Sequence, residues 1–372
     1  MKNLRLAVIG AGRLGGFHAQ KLAGMRGVEL VGVVDPLAQA RLRVAAECNT
    51  RALDDHRPLL DRIDAAVVAA PTMFHHAVGR ELLDHGIHVL MEKPLCPTLR
   101  QADDLVKTAR RKNLVLQVGH VERFNPALPP VLACARDPKY IEAVRSSGFT
   151  FRSTDIGVVL DLMIHDLDLV LSMVGSRVRN VEALGLSVLG GHEDVAHARL
   201  EFESGCVANF SASRVSYEPV RRMQVWSARA FARVDFAARR TTLVRPSETL
   251  LRREFDVNGL SPEQMEHYKR HLLQEHLPRE DIEAEPVDAL TLELGDFIDS
   301  IRTSQVPRVT GEQARDAVAV AERILSKIGT HAWNNAPDGP SGPMAAARPS
   351  VVPAPHWTLS PIHSPVEHRE AS

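Results

Sequence analysis

Two hydropathy patterns, one after the other, predict an α/β chain: an N-terminal doubly wound parallel sheet followed by an α+β domain with an antiparallel sheet. In the first third, short apolar runs alternate with amphipathic helical stretches, the signature of parallel strands covered on both faces. A glycine-rich turn joins the first run to the first helix. After Gly119 the runs alternate polar with apolar residues instead, as half-buried antiparallel strands do.

A chain of 372 residues is long enough for two domains, each with a sizeable core. Hydrophobic residues make up 44% and charged residues 24%, an ordinary balance for a globular protein. Lysine and arginine total 45 against 46 acidic residues, a formal charge of -1, so charge gives no reason to expect nucleic acid or an anionic membrane as partner. Cys48, Cys96, Cys134 and Cys206 lie far apart without metal or redox spacing, and no metal-ligand set is read from the sequence. The N-terminus runs straight into a strand, and no segment approaches the roughly 18 uninterrupted apolar residues of a membrane span. The expected location is the cytoplasm, with free, buried thiols.

Leu4 to Ile9 is the first strand. Gly10-Ala11-Gly12-Arg13-Leu14-Gly15 follows it and opens a helix that continues through Leu22. In that context Gly10 permits the tight turn, Gly12 lets backbone amides approach a pyrophosphate, and Gly15 allows helix and strand to pack closely. The second strand, Val28 to Val34, ends at Asp35, twenty residues after Gly15. An acid there suits the ribose hydroxyls of NAD and repels the 2′-phosphate of NADP. Arg41 and Arg43 follow closely and weaken that preference.

Asp64 to Ala70 is the third strand, broken by Pro71-Thr72. Ligands of parallel sheets sit beyond the carboxyl ends of strands, so Pro71, Thr72 and His75 are placed in the cofactor cleft. A helix from Ala77 to His85, stopped by Gly86, leads to the strand Ile87 to Met91 and then Glu92-Lys93-Pro94. Pro94 biases Lys93 toward an extended conformation at the strand end, where partial burial would let it handle protons. Thr98 caps the next helix, to about Lys112, and Leu114 to Val118 completes five parallel strands.

The stretch from His120 to Pro126 marks the passage between domains, giving 1–122, 123–332 and a proline-rich tail, 333–372. Strands are expected at 143–152, 181–189, 194–203, 205–215, 222–227 and 230–235. A helix over 155–174 covers one face of their sheet. Residues 256–285 read as short helices, and 286–303 and 310–328 as long ones. Trp226 and Phe231 are expected in the core or an interface. Eight of the 23 prolines lie between Pro337 and Pro365, so the tail is expected to be disordered, or an arm in which Trp357 and Ile362 grip a second subunit.

Within 155–174, Asp161 and His165 stand at i and i+4, one helical turn apart. A carboxylate so placed can orient an imidazole and raise its basicity, as a proton-transferring histidine needs. The competing reading is a surface histidine beside solvated acids.

Taken together, GAGRLG at 10–15, Asp35, PT at 71–72, EKP at 92–94 and DLMIHDLD at 161–168 resemble the Gfo/Idh/MocA oxidoreductase family over residues 3 to 330. The resemblance implies a Rossmann domain joined to a mixed domain with a large open antiparallel sheet. It implies NAD between them, contacted by Gly10, Gly12, Arg13, Leu14, Gly15, Asp35, Pro71, Thr72, His75, Glu92 and Lys93. It also implies catalysis by Lys93, Asp161 and His165 on a secondary hydroxyl of a sugar, and a homo-oligomer, dimer or tetramer, built on the open sheet face. Alcohol oxidation fits these residues: His165 as general base, Asp161 orienting it, Lys93 bonding the substrate oxygen.

GHVERFNPA at 119–127 with VVLDLMIHDLDL at 158–169 is similar to the members of that family that oxidise nucleotide-linked amino sugars, UDP-N-acetylglucosamine to its 3-keto form among them. Lys93, Glu122, Arg123, Asn125, Arg152, Asp161 and His165 are then the expected substrate contacts. Arg123, Arg145, Arg152 and Arg214 are the candidate partners of a diphosphate. Three alternatives stay open: a dehydrogenase of a free sugar or inositol-like polyol, a catalytically silent NAD-binding regulator, and, more remotely, a methyltransferase.

Overall fold

The computed structural model describes residues 3–134, 136–333 and 341–343. Its first half runs β1 (Leu4–Ile9), α1 (Arg13–Gly24), β2 (Val28–Val34), α2 (Ala38–Glu47), β3 (Arg51–Leu53), β4 (Ala65–Val68), α3 (Thr72–Asp84), β5 (His88–Glu92), α4 (Leu99–Lys112) and β6 (Leu116–Gly119). The six strands form one parallel sheet in the order β3-β2-β1-β4-β5-β6. Strand order reverses between β1 and β4, and the carboxyl ends there open a crevice for a ligand. Five strands were expected. The sixth, β3, spans only three residues, too few for any periodicity to register.

Apolar residues on the two faces of this sheet feed two cores. Ala7, Ile9, Ala66, Val68, Val89 and Met91 pack with helices α3 and α4. Leu6, Val8, Val33, Val67 and Leu90 pack with α1. Strands buried on both faces explain why their sequences run apolar without alternation. Thr98 accepts a hydrogen bond from the Gln101 amide and starts α4 as its sequence predicts. Helix α3, expected from Ala77, begins five residues earlier at Thr72, with Pro71 in the N-cap position.

The second half runs α5 (Leu128–Cys134), β7 (Pro138–Ser146), a π-helical turn (Val159–Met163) continuing into α6 (Ile164–Val174), β8 (Val178–Leu186), β9 (Val195–Phe202), β10 (Val207–Ser213), β11 (Val220–Ser227), β12 (Phe231–Asp235), β13 (Arg240–Val244), α7 (Glu248–Leu251), α8 (Pro262–His276), β14 (Arg279–Glu283), α9 (Ala289–Thr303) and α10 (Gly311–Thr330). The eight strands form one sheet in the order β14-β13-β12-β11-β7-β10-β9-β8. All neighbours are antiparallel except β7 and β10, which run parallel because α6 carries the chain across the sheet between them. Strands β13 and β14 escaped the sequence reading, and 256–285 holds the 15-residue α8 and β14 rather than several short helices.

The π-helical turn and α6 cover one face of this sheet: Met163, Ile164 and Leu167 share a core with Ile141, Ala143, Phe210, Met223 and Val225. Trp226 stacks between Tyr140 and Phe231, with ring centroids 5.0 Å apart in each pair. The last two helices return to the parallel sheet. Leu294, Phe297 and Ile298 of α9 pack with Leu6 and Val8. Helix α10 places Ala314 and Val318 in the parallel-sheet core and Ala317, Ile324 and Ile328 in the other. Of the tail, Trp333 donates to the Gly342 carbonyl at 2.9 Å and the Ser187 amide to that of Pro343 at 2.8 Å; Trp357 and Ile362 lie outside the described residues. No helix among the described residues is long and apolar enough to cross a membrane.

Candidate active site

Beyond β1 the chain turns on Gly10, whose φ of 101° excludes ordinary side chains; a Cβ there would lie 2.4 Å from the Ala69 carbonyl oxygen. At Gly15 a Cβ would lie 1.8 Å from the Gly10 oxygen, so α1 can seat against the turn only with glycine there. Gly12 differs, since a Cβ would meet nothing within 4 Å. Open space above a helix N-terminus that no side chain caps is what a pyrophosphate requires. Arg13 and Leu14 lie exposed in the first turn, Arg13 over the Phe17 ring at 5.6 Å.

Asp35 ends β2 beside this loop. One carboxylate oxygen accepts from the Ala11 amide at 2.8 Å and the other from Leu37 at 2.8 Å, leaving each with acceptor capacity for ribose hydroxyls. Arg41 donates to the Asp35 and Pro36 carbonyls. The glycine turn, the uncapped helix and this acid together fit a dinucleotide.

Pro71 and Thr72 stand at the carboxyl end of β4, where the strand-end rule put them. His75 does something else. Its two ring nitrogens face the Pro94 and Ala70 carbonyls, each at 2.9 Å, and burial holds its pKa below the usual value. The neutral ring carries one N–H and donates to only one of these carbonyls, but with both nitrogens facing backbone it has none left for a cofactor, which corrects its expected role. Glu92 is also turned inward, accepting from the His18 ring at 2.7 Å and from the Lys93 amide at 3.2 Å. Its oxygens serve the fold beneath the cleft rather than a cofactor directly.

Lys93 leaves the β5 end through a cis peptide bond to Pro94. Its ammonium donates to the Asp161 carbonyl at 2.7 Å and to Asp161 Oδ1 at 2.9 Å. This ion pair joins the parallel-sheet half to the helix over the second sheet. Asp161 was expected to orient His165. It does not, because the wider π-helical turn at 159–163 takes its side chain off the α-helical i, i+4 line. The imidazole is left without a carboxylate, its Nδ1 buried and unpartnered. Burial foremost, then the positive Lys93 and Arg145, hold its pKa well below 6.5 rather than raising it.

His120, which carries no local sign in the sequence beyond its place after a strand, stands edge-on to His165 with ring centroids 6.0 Å apart, and neither of its buried nitrogens has a partner among the described residues. It is the first residue past β6, so the strand-end argument used for Pro71 applies to it equally. His18, on the inward face of α1 with Ala19 and Leu22, and Glu293 of α9 were missed too. With Glu92 they bring ligand-type atoms within 4.8 Å of one another. Glu293 is fully buried with neither oxygen bonded; burial first, then Glu92 and Asp296, hold its pKa well above 4.5.

The expected substrate residues divide. Glu122 accepts from Arg145 at 2.9 Å and from Asn125 at 2.9 Å; Asn125 also donates to the Phe236 carbonyl and accepts from Ala127. Arg123 forms a forked pair with Asp168 at 2.6 and 3.1 Å. Arg145 is buried between Asp166 and Glu122, and Arg214 is buried against Asp194. Glu122, Arg145 and Arg214 are thus buried with their charges paired inside the protein, which corrects their expected contact with substrate, whereas Arg123 and Asn125 are paired but partly exposed. The acid partners of the three arginines are distant in sequence and gave no local sign. Arg152 alone of the expected arginines is exposed and without an acid partner among the described residues.

Residues 4–120 match the domain described as "Oxidoreductase family, NAD-binding Rossmann fold", and residues 134–232 the GFO/IDH/MocA C-terminal domain. UDP-N-acetylglucosamine 3-dehydrogenase of Acidithiobacillus ferrooxidans is 41% identical over 237 residues, 63% of this chain and 75% of that protein. The chain belongs to the Gfo/Idh/MocA family. The solved structure of the same Acidithiobacillus enzyme superposes with a TM-score of 0.77 at 34% identity, covering 88% of this chain and 98% of that one. Another Gfo/Idh/MocA relative, the NAD(+)-dependent scyllo-inositol 2-dehydrogenase of Bacillus subtilis, is 29% identical over 57% of this chain and 68% of its own. Levoglucosan dehydrogenase in complex with NADH, at 14% identity and a TM-score of 0.73 over 88% of this chain and 97% of that one, shares the fold. As a Gfo/Idh/MocA protein the chain is an NAD-binding oxidoreductase, and the silent-regulator and methyltransferase readings fall away.

Proposed function

We propose that this oxidoreductase removes hydride from carbon 3 of UDP-N-acetylglucosamine, giving the 3-keto sugar. The observation that carries the catalytic part is the Lys93–Asp161 ion pair beside a neutral His165 at the carboxyl ends of the parallel strands.

Oxidising a secondary alcohol takes a proton from oxygen and a hydride from carbon. NAD, when bound, supplies the hydride acceptor. His165, uncharged at neutral pH, accepts the hydroxyl proton. An ammonium has three donors, and Asp161 occupies two of those of Lys93. The third is free to meet the substrate oxygen and steady the negative charge that grows on it as the proton leaves. Asp161 is then a positioning residue for Lys93. The substrate part rests on the 41% identity to the Acidithiobacillus enzyme.

A second reading, oxidation of an uncharged polyol, gains from one observation: Arg123, Arg145 and Arg214, three of the four expected diphosphate partners, are already paired with acids. Purified protein and NAD offered UDP-N-acetylglucosamine, other UDP-sugars and myo-inositol separate the two. NADH should form with UDP-N-acetylglucosamine and only weakly with myo-inositol; the reverse order overturns the nucleotide-sugar reading.

A further inference from the structure

The sheet that carries the catalytic helix holds an arginine whose side chain bonds to no acid among the described residues. Along β11, Met223 and Val225 are buried in the core that α6 covers, and the two-residue period puts Arg221 on that same face. Its register partner on β7 is Arg145, the residue buried between Asp166 and Glu122. The two arginines are therefore cross-strand neighbours, and the charges of both reach Asp166. The inner one consumes both nearby carboxylates, Asp166 with bonds of 3.0 and 2.8 Å and Glu122 with one of 2.9 Å. The outer one is exposed, and no hydrogen bond or ion pair of its side chain is made among the described residues. Its backbone is fixed: the Phe236 amide donates to the Arg221 carbonyl at 2.9 Å, and Asn125 donates to the Phe236 carbonyl at 3.1 Å.

Arg221 also lies within electrostatic reach of the catalytic centre. After burial, Lys93, Arg145 and His120, its charge is among the influences that depress the His165 pKa. The strand end bearing it adjoins Ser146, where the loop leading to the exposed, acid-free Arg152 begins.

We propose that Arg221 is the cation that meets a phosphate of the substrate. The inference rests on the nucleotide-sugar reading above. Sugar hydroxyls need only neutral partners, whereas a diphosphate needs a full positive charge, and a guanidinium fork fits two phosphate oxygens at once. With Arg145 and Arg214 buried against acids and Arg123 paired with Asp168, Arg221 supplies the charge that the second reading finds wanting.

The test measures UDP affinity by calorimetry, and UDP-N-acetylglucosamine kinetics, for the native protein, Arg221→Ala, Arg221→Lys and Arg233→Ala. Arg233 lies on the outer face of the neighbouring strand β12. Removing Arg221 should weaken UDP binding by about tenfold or more and raise KM more than it lowers kcat. Lysine should restore part of the loss, the salt dependence of UDP binding should flatten, and NAD affinity should hold. Arg233→Ala should bind UDP like the native protein. A folded Arg221→Ala that binds UDP normally overturns the role of Arg221 and leaves the sugar assignment standing. Arg221-dependent UDP binding without turnover of UDP-N-acetylglucosamine overturns the sugar assignment alone. Native protein with no affinity for UDP overturns both.

Discussion

Lys93 and Asp161 stand 68 positions apart in sequence and are joined at two atoms, ammonium to carboxylate and ammonium to carbonyl. The second bond fixes where the lysine points even when the carboxylate is altered. Lys93→Met should therefore lower kcat/KM roughly 100-fold or more, since the donor to the substrate oxygen is gone. Asp161→Asn should cost less, because the carbonyl still holds the ammonium. Steady-state kinetics with NAD affinity measured alongside checks both; equal rates for native and Lys93→Met remove the lysine from the mechanism.

His165→Ala should reduce turnover by about 10²–10⁴-fold while leaving NAD binding near native. The imidazole must be neutral to act as a base, and burial lowers its pKa, so it keeps that form to more acid pH than a free histidine. The acid limb of kcat/KM should thus fall below pH 6.5. A limb at or above that value contradicts the assignment.

Asp35→Ala should loosen NAD and relax discrimination against NADP. The carboxylate also holds the Ala11 and Leu37 amides, so the variant should melt somewhat lower as well. Dissociation constants for both nucleotides decide it: an unchanged ratio reduces Asp35 to a turn residue.

Glu293 bears on stability rather than chemistry. Its folded-state pKa lies well above 4.5, so the folded protein keeps the group neutral where the unfolded chain ionises it. The stability it contributes is full below the unfolded value and is lost as pH rises through the folded one. Melting temperatures from about pH 5 to about pH 9 should fall more steeply for the native protein than for Glu293→Gln. Parallel curves would show that Glu293 titrates normally.

Much of this was legible in the residues. Gly10 and Gly15 carry geometry that no other residue meets, and apolar runs buried on both faces mark parallel strands at once. The partnership of Asp161 was not legible, because the i, i+4 rule assumes an α-helix and one π-helical turn breaks it. Arginines mislead for a different reason. Arg123, Arg145 and Arg214 look alike with Arg221 in sequence, and only tertiary folding decides which find an acid. His120 could have been found from its place after a strand; Glu293, on a helix 201 residues from Glu92, could not.

Helix α10 contributes one side to each of two cores. A single helix is thereby a common wall of both halves. Melting should accordingly be one event. A helix-breaking change at Ala317 or Val318 would loosen both halves together.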